Sequence, residues 1–407
     1  MKTLKIGLLR EYKVPPDFRV AFLPEQLNNL LPTHPDVTFV VERSPYRCVA
    51  DSEYEEAGFT LVDDLSDCDI LFGIKEVPPA KLIPNKTYFF FSHTIKKQPH
   101  NKALLRAVLD KNVTLIDYEC LTDDRGNRTV AFGHYAGIAG AYNGIRAYGL
   151  RTGLFNIRPA VELRHYSKLE KELHSVKLPN IKIAVTGTGR VGKGVKEVLR
   201  NMNIREVSPA EYLTENYNEP VFAMLASKDY YRLKNGRAWD TAYFHAHPSE
   251  AENIFLPFAH ATDILMASAF WHPASPALFS VEDMLDQAFK ITVIADITCD
   301  IQGSIPSTLR ASTIPDPFYD FNPEDGQLYP AFSSERHVSV MAVDNLPCEL
   351  PRDAGQDFGN QLSAQVMPRL FFGDLDGALA RATIATNGHL THGFEYLSDY
   401  AGVGVEV

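Results

Sequence analysis

The sequence predicts an α/β protein built from two Rossmann-like, doubly wound domains with a cleft between them. Three observations carry that expectation. Short apolar runs alternate with helical patterns in one series from the N-terminus and in a second from Ile181, and such alternation predicts parallel sheets with helices on both faces. A charged stretch over 151–180 separates the two series. A glycine-rich turn, Gly187-Thr188-Gly189-Arg190-Val191-Gly192, sits between an apolar strand and a helical pattern. A length of 407 residues fits two or three domains of roughly 150 residues each.

In the first series, Leu4–Leu9 reads as a strand, and Pro24 opens a helix over Glu25–Leu31. Thr38–Glu42 is the next strand, followed by a helix at Ser52–Gly58. Asp69–Gly73, Thr87–Phe91 and Val113–Asp117 are further strands. Small residues allow a closely packed helix at Gly137–Gly149. The stretch 151–180 reads as an irregular connector. The second series has strands at Ile181–Val185, Ile204–Val207, Val221–Leu225, Asp263–Met266 and Ile291–Asp296. The Pro- and Asp-rich stretch Pro306–Pro330 reads as a long loop, and the tail Arg352–His389 as helical, with no sheet of its own. Residues 1–136 plus 347–407 are therefore expected to form a substrate domain, and 137–346 a dinucleotide-binding domain, with hinge motion between them.

Composition excludes several classes. Apolar residues make up 45% and charged residues 22%, the balance of a folded globular chain. Forty basic against fifty-one acidic residues give a net charge of −11, which argues against nucleic-acid binding. No apolar run approaches the roughly 20 residues of a membrane span. The five cysteines are scattered, with no C-x-x-C pair, so neither a disulfide framework nor a metal site is expected. The chain reads as soluble, reduced and cytoplasmic.

The turn at 187–192 has the G-x-G-x-x-G spacing of a dinucleotide-binding loop. The first glycine makes the tight turn, the second lets backbone approach a pyrophosphate, and the third permits close helix–strand packing. Free N–H groups at the following helix start suit phosphate. The second strand normally ends in an acid for the adenine ribose. Here it ends in Ser208, with Glu206 two positions earlier, so NAD and NADP both stay open as cofactors.

In the first series, Lys75 and Glu76 follow one apolar strand and His93 follows another. Catalytic groups gather at the carboxyl ends of parallel strands, and a lysine and a histidine there form a plausible proton-transfer pair. A surface lysine and a structural histidine are the competing readings. His134, His260 and His272 have no assigned role. The aromatic run Phe244–Phe258 either covers a cofactor or packs a loop, and packing is favoured.

Several stretches together carry a resemblance. They are Leu8-Leu9-Arg10-Glu11, Arg19–Pro24, Gly73–Glu76, Phe90–Lys96, Ile116–Glu119, Ala131–Gly137, Thr186–Arg190 and Ala342–Pro347. On these the chain resembles the lysine-forming saccharopine dehydrogenases, above all the lysine–2-oxoglutarate reductase domain of the bifunctional lysine-degrading enzyme. Alanine dehydrogenase and the transhydrogenase nucleotide subunit share the architecture and are less similar at SHTIK, IDYE and AVDNLP. The resemblance implies Lys75 and His93 as an acid–base pair, Arg19 and Arg128 as carboxylate binders, and Glu76 and Glu119 in the substrate site. On the cofactor side it implies the glycine loop together with Asp296 and Asp300. The implied reaction interconverts saccharopine with lysine and 2-oxoglutarate through an imine, with NAD or NADP as hydride carrier. A homo-oligomer is compatible with it. No second, glutamate-forming dehydrogenase region is recognised, so channelling of saccharopine within this chain is not expected. Two other functions stay open: an amino-acid dehydrogenase of the alanine dehydrogenase type using ammonia, and a non-catalytic dinucleotide sensor.

Overall fold

The computed structural model describes residues 4–34 and 36–403. Contacts divide the chain into two compact units, one holding the N-terminal part to Phe132 with Pro351 onward, the other Gly133–Leu350. In chain order the strands are β1 (Leu4–Leu8), β2 (Val37–Glu42), β3 (Thr60–Val62), β4 (Ile70–Phe72), β5 (Thr87–Phe90), β6 (Thr114–Asp117), β7 (Lys182–Thr186), β8 (Arg205–Glu206) and β9 (Val221–Leu225). They continue with β10 (Tyr231–Leu233), β11 (Ala251–Asn253), β12 (Ile264–Ala267), β13 (Val293–Asp296), β14 (Phe318–Asn322), β15 (Gln327–Tyr329), β16 (Val338–Met341), β17 (Thr383–Thr386) and β18 (His389–Leu390). Each unit is a mixed, mostly parallel sheet flanked by helices, as expected of two Rossmann-like domains.

The first unit's sheet has the order β18-β17-β6-β5-β4-β1-β2-β3. The pairs from β6 to β3 are parallel. Its central strands are apolar on both faces, with Ile6, Leu71, Phe72, Tyr88, Phe89 and Phe90 buried, as a sheet covered on both sides requires. Helices α1 (Pro24–Leu30), α2 (Asp51–Glu56) and α3 (Lys102–Asp110) belong to this unit. In α3, Leu104, Leu105, Val108 and Leu109 are buried, one stripe of an amphipathic helix. The tail corrects the helical expectation. After helices over Pro351–Gln365, Met367–Phe372 and Ala378–Ala382, β17 pairs antiparallel with β6, and β18 pairs antiparallel with β17. The strand β3 was also not anticipated, being only three residues long.

The second unit opens with the long helix α4 (Gly133–Thr152). The supposed connector is not irregular, since it holds α5 (Ala160–Leu163) and α6 (Tyr166–His174). Leu169 and Leu173 anchor α6 in the core. Its sheet has the order β15-β14-β16-β13-β12-β7-β9-β8. The supposed loop 306–330 contributes β14 and β15, which make an antiparallel edge beside β16. Phe244, Phe255 and Phe258 are buried in this unit's core. Among the described residues, no helix is long and apolar enough to cross a membrane.

Helix α4 lies against α7 (Arg190–Asn201) with almost no side-chain layer between them. A Cβ on Gly137 would stand 2.0 Å from the Val191 carbonyl oxygen, and one on Gly194 would stand 2.1 Å from that of His134. Gly194→Leu is therefore expected to destabilise the protein by at least the roughly 1–3 kcal/mol of core overpacking, read as a lower urea midpoint.

A second stability prediction concerns pH. Glu349 is 3% exposed, and its carboxylate accepts a hydrogen bond from Asn143 Nδ2 at 2.7 Å. Burial pushes its carboxyl up to about 8, against smaller opposing effects of Asn143 and Arg146. An unfolded chain releases that proton near the ordinary carboxyl value of 4.5, while the folded chain keeps it until about pH 8. Stability contributed by this group therefore falls as pH rises through that window. Glu349→Gln should flatten the decline, measured as denaturation midpoints from pH 5 to pH 8.

Candidate active site

In the first unit, β6, β5, β4 and β1 are consecutive neighbours. In register, Leu8 faces Phe72, Phe72 faces Phe89, and Phe90 faces Asp117. The residues just beyond these carboxyl ends therefore form a row: Glu11, Lys75 with Glu76, Ser92 with His93, and Tyr118 with Glu119. Parallel strands in register bring together side chains over a hundred positions apart in sequence.

Two carboxylates tie the row to the backbone. Glu11 accepts hydrogen bonds from the amides of Ile74 at 2.7 Å and Lys75 at 2.8 Å. Desolvation, then the neighbouring Asp17, pushes the Glu11 carboxyl up to about 8. Asp117 is fully buried. It accepts from the Ser92 amide at 3.0 Å, the Glu119 amide at 2.7 Å and the Ser92 hydroxyl. Burial raises its carboxyl above the usual range.

On this frame, His93 takes a left-handed backbone conformation, with φ of 51°. Its Nδ1 lies 2.5 Å from Glu76 Oε1. Burial pushes the Glu76 carboxyl up, but the His93 hydrogen bond and charge, with help from its own amide and Lys13, bring it down to about 2. Lys75 is half-buried and makes no ion pair among the described residues. Desolvation, followed by the positive charges of Arg19 and Lys13, lowers its ammonium below the ordinary lysine range. Glu119 is pushed up by burial and pulled down further by Arg128 and Lys96, for a net lowering. It receives Arg128 Nη2 and lies 3.2 Å from Lys96 Nζ.

Six expected residues thus share one unit, Lys75, His93, Glu76, Glu119, Arg19 and Arg128. Arg19 is buried and donates Nε and Nη2 to Asp17 at 3.0 and 2.6 Å, with its guanidinium 4.2 Å from the Phe132 ring centre. Arg128 is exposed and ion-paired. Both arginines therefore already have carboxylate partners, which an incoming carboxylate would have to share. Sequence reasoning gave no role to Glu11, Asp17, Lys96, Asp117 or Tyr118. Four of the five lie inside or next to the stretches that carried the resemblance, and their position just past apolar strands was the available signal. Asp17 lies in a loop that gave none. The Tyr118 hydroxyl is buried without a hydrogen-bond partner.

In the second unit, β7 runs into the glycine turn and then α7, with Gly189 at its N-cap. Gly187 has φ of 92°, and a Cβ there would stand 2.8 Å from Ala269 backbone atoms. A Cβ on Gly192 would stand 2.1 Å from the Gly187 carbonyl oxygen. A Cβ on Gly189 would meet nothing within 4 Å. The first and third glycines are required by the protein itself, whereas the second borders open space beside exposed Thr188 and the N-terminus of α7. That is the arrangement a pyrophosphate needs, so these residues fit the dinucleotide.

The other expected cofactor residues are placed differently. Ser208 caps the helix α8 (Pro209–Thr214), its hydroxyl accepting from the Glu211 amide, and Glu206 is held by Lys196 and Arg200. β8 is not the neighbour of β7, because β9 lies between them. Ser208, expected at the cofactor, thus stands at the end of a strand that does not adjoin the strand of the glycine turn. Asp296 is fully buried. It accepts from the Thr298 amide and hydroxyl, the Cys299 amide and the Thr308 hydroxyl. It organises the turn after β13, and burial raises its carboxyl. Asp300 lies half-buried in the same turn, its carbonyl accepting from the Gly303 amide. His134 pairs with Glu197 at 3.1 Å, the His260 Nε2 is buried without a hydrogen-bond partner, and the His272 Nδ1 accepts from the Ala274 amide. No group of three or more potential ligands for a metal is found among the described residues.

Residues 7–139 match the family described as alanine dehydrogenase/PNT, N-terminal domain. The chain is 32% identical over 437 residues to an alpha-aminoadipic semialdehyde synthase of Arabidopsis thaliana, covering 96% of this chain and 41% of that one. It is 26% identical to a saccharopine dehydrogenase [NAD(+), L-lysine-forming] of Yarrowia lipolytica, covering 88% of this chain and 90% of that one. Among solved structures an L-alanine dehydrogenase superposes with a TM-score of 0.63 at 16% identity, covering 98% of this chain and 99% of that one; this likeness concerns the fold. The chain spans about two fifths of the length of the first curated relatives it matches.

Proposed function

We propose, from the premise that the chain belongs to the alanine dehydrogenase/PNT and saccharopine dehydrogenase superfamily, that it is a dinucleotide-dependent oxidoreductase interconverting saccharopine with L-lysine and 2-oxoglutarate. The observation that supports this best is the pairing of a lysine of lowered proton affinity with a carboxylate-held histidine on adjacent strand ends, Lys75 after β4 and His93 after β5.

When bound, the nicotinamide supplies or accepts the hydride that interconverts imine and secondary amine. The protein's residues handle protons and charge. Formation and hydrolysis of the imine move protons at nitrogen and at the former ketone oxygen, so two titrating groups are needed. An ordinary lysine near 10.4 is almost always protonated at neutral pH. Burial, then the neighbouring cations Arg19 and Lys13, lower the Lys75 ammonium from that range and so favour its proton-accepting form. Glu76 holds the His93 Nδ1, which fixes the ring and leaves Nε2 for exchange. Arg128, exposed and bound to Glu119, can extend its remaining donors to a substrate carboxylate. Glu76 and Glu119 supply negative charge suited to the ammonium groups of lysine.

The test is loss of reduced-nicotinamide absorbance with lysine, 2-oxoglutarate and either cofactor, each omitted in turn. Turnover that requires both substrates is expected. Equal turnover with ammonium in place of lysine would replace the proposal with an alanine dehydrogenase-like reaction. Nucleotide binding without turnover on either amine would leave a sensor. Arg128→Ala is expected to raise the Michaelis constant for the keto acid, with cofactor affinity unchanged. Arg19→Ala should weaken substrate binding and also lower thermal stability, because it takes the guanidinium away from the buried Asp17 carboxylate.

A further inference from the structure

The strand order of the second unit moves the place where a dinucleotide's adenosine half is read. In the usual doubly wound order the second strand lies beside the strand of the glycine turn, and an acid at its end binds the ribose. Here β9 occupies that position, paired with β7 over five residues from Lys182–Val221 to Thr186–Leu225. β8 is one strand further out, so its end is displaced by about 5 Å from the customary place. The Gly187 amide donates to the Leu225 carbonyl at 2.8 Å. The chain leaving β9, Ala226-Ser227-Lys228, therefore emerges directly beside the glycine turn.

That segment borders a small open cleft of about 60 Å³, whose walls include Thr186 at the end of β7, Ser227, Tyr230, Phe244, Ala269 and Trp271. Ala269 is also the residue that a Cβ on Gly187 would strike, so cavity and glycine turn adjoin. The walls are rich in aromatic rings, which suit an adenine face. They contain hydroxyls and histidines and no carboxylate. Ser227 stands where the ribose acid is normally found, and its neighbour Lys228 is exposed, with no ion pair among the described residues. Asp229, the nearest acid in sequence, is tied by its carboxylate to the Ala226 amide at 2.7 Å.

We infer that Ser227 and Lys228, at the end of β9, read the adenosine ribose of the dinucleotide, that Trp271 and the facing aromatic residues hold its adenine, and that Ser208 and Glu206 take no part. A hydroxyl and a lysine in place of a carboxylate admit a 2′-phosphate. The inference rests on the proposed dinucleotide dependence and adds the residues that choose between phosphorylated and unphosphorylated forms.

Calorimetry with ADP-ribose and 2′-phospho-ADP-ribose tests it without any reaction. Wild-type protein should bind the phosphorylated ligand at least as tightly as the other. Ser227→Asp and Lys228→Glu should each weaken the phosphorylated ligand by roughly ten- to a hundredfold relative to the unphosphorylated one, from like-charge repulsion. Trp271→Ala should weaken both by roughly tenfold. Ser208→Asp should leave the ratio of the two affinities within about twofold, since Ser208 caps α8 at the end of a strand that does not adjoin the glycine turn. A ratio that moves with Ser208→Asp and not with Ser227→Asp or Lys228→Glu would overturn the inference while leaving dinucleotide dependence intact. Wild-type protein that binds neither ligand nor the full dinucleotides would overturn both.

Discussion

Lys75→Met and His93→Gln are each expected to lower kcat by about a hundredfold to ten-thousandfold, the worth of one positioned proton-transfer group, with substrate and cofactor binding largely kept. The geometry explains why binding should survive. Among the described residues the Lys75 side chain makes no ion pair; it is the Lys75 amide that donates to Glu11. Glutamine at 93 can still donate to Glu76. The pH–rate curve should lose one limb in each variant. The limb belonging to Lys75 should lie below the ordinary lysine range, because desolvation, then Arg19 and Lys13, disfavour its charged form. If Lys75 only bound a carboxylate, Lys75→Met would raise the Michaelis constant and leave both limbs. If His93 only packed, His93→Gln would lower the melting temperature more than the activity per folded molecule. Near-normal kcat with two limbs in both variants would remove the pair from the mechanism.

Gly189→Val is expected to abolish nucleotide binding while leaving the fold intact. Its added Cβ meets nothing within 4 Å among the described residues, so the expected effect of the valine is to block the approach of a pyrophosphate. The neighbouring glycines make the contrast. Gly192→Val would press on the Gly187 carbonyl, and its first effect should be on stability. Melting curves and a nicotinamide titration on both variants separate the two cases. An unchanged titration in folded Gly189→Val would move the phosphate site away from residue 189.

Much of the architecture was legible because buried parallel strands are apolar on both faces. Phe89 and Phe90 could be read as strand with no knowledge of their neighbours. The candidate acid–base pair was legible for a related reason, since Lys75 and His93 stand immediately after such runs. What could not be read was pairing. Thr383-Ile384-Ala385-Thr386 follows a helix and looks like its continuation, yet it is a strand, because the open edge of β6 needs a partner. Phe318–Asn322 was hidden among prolines and aspartates that mark turns on either side of it. The place of Ser208 two strands away from the glycine turn was hidden for the same reason. A sequence shows that β8 precedes β9; only the sheet shows that β9 stands next to β7. Asp17 was invisible because its importance lies in the guanidinium it holds.

The antiparallel pairing of β17 with β6 has a consequence for how the molecule is made. More than 260 residues separate the two strands. At about 5–20 residues per second on a ribosome, β6 waits roughly ten to fifty seconds for its partner. During that interval the sheet bearing Lys75 and His93 has an unprotected edge, a template for pairing with other chains. Release of a chain cut short anywhere before Thr383 would make that exposure permanent. The β17–β18 hairpin therefore closes that edge only once residues 383–390 have been made, and the sheet that carries Lys75 and His93 is completed by residues far along the chain from those that begin it.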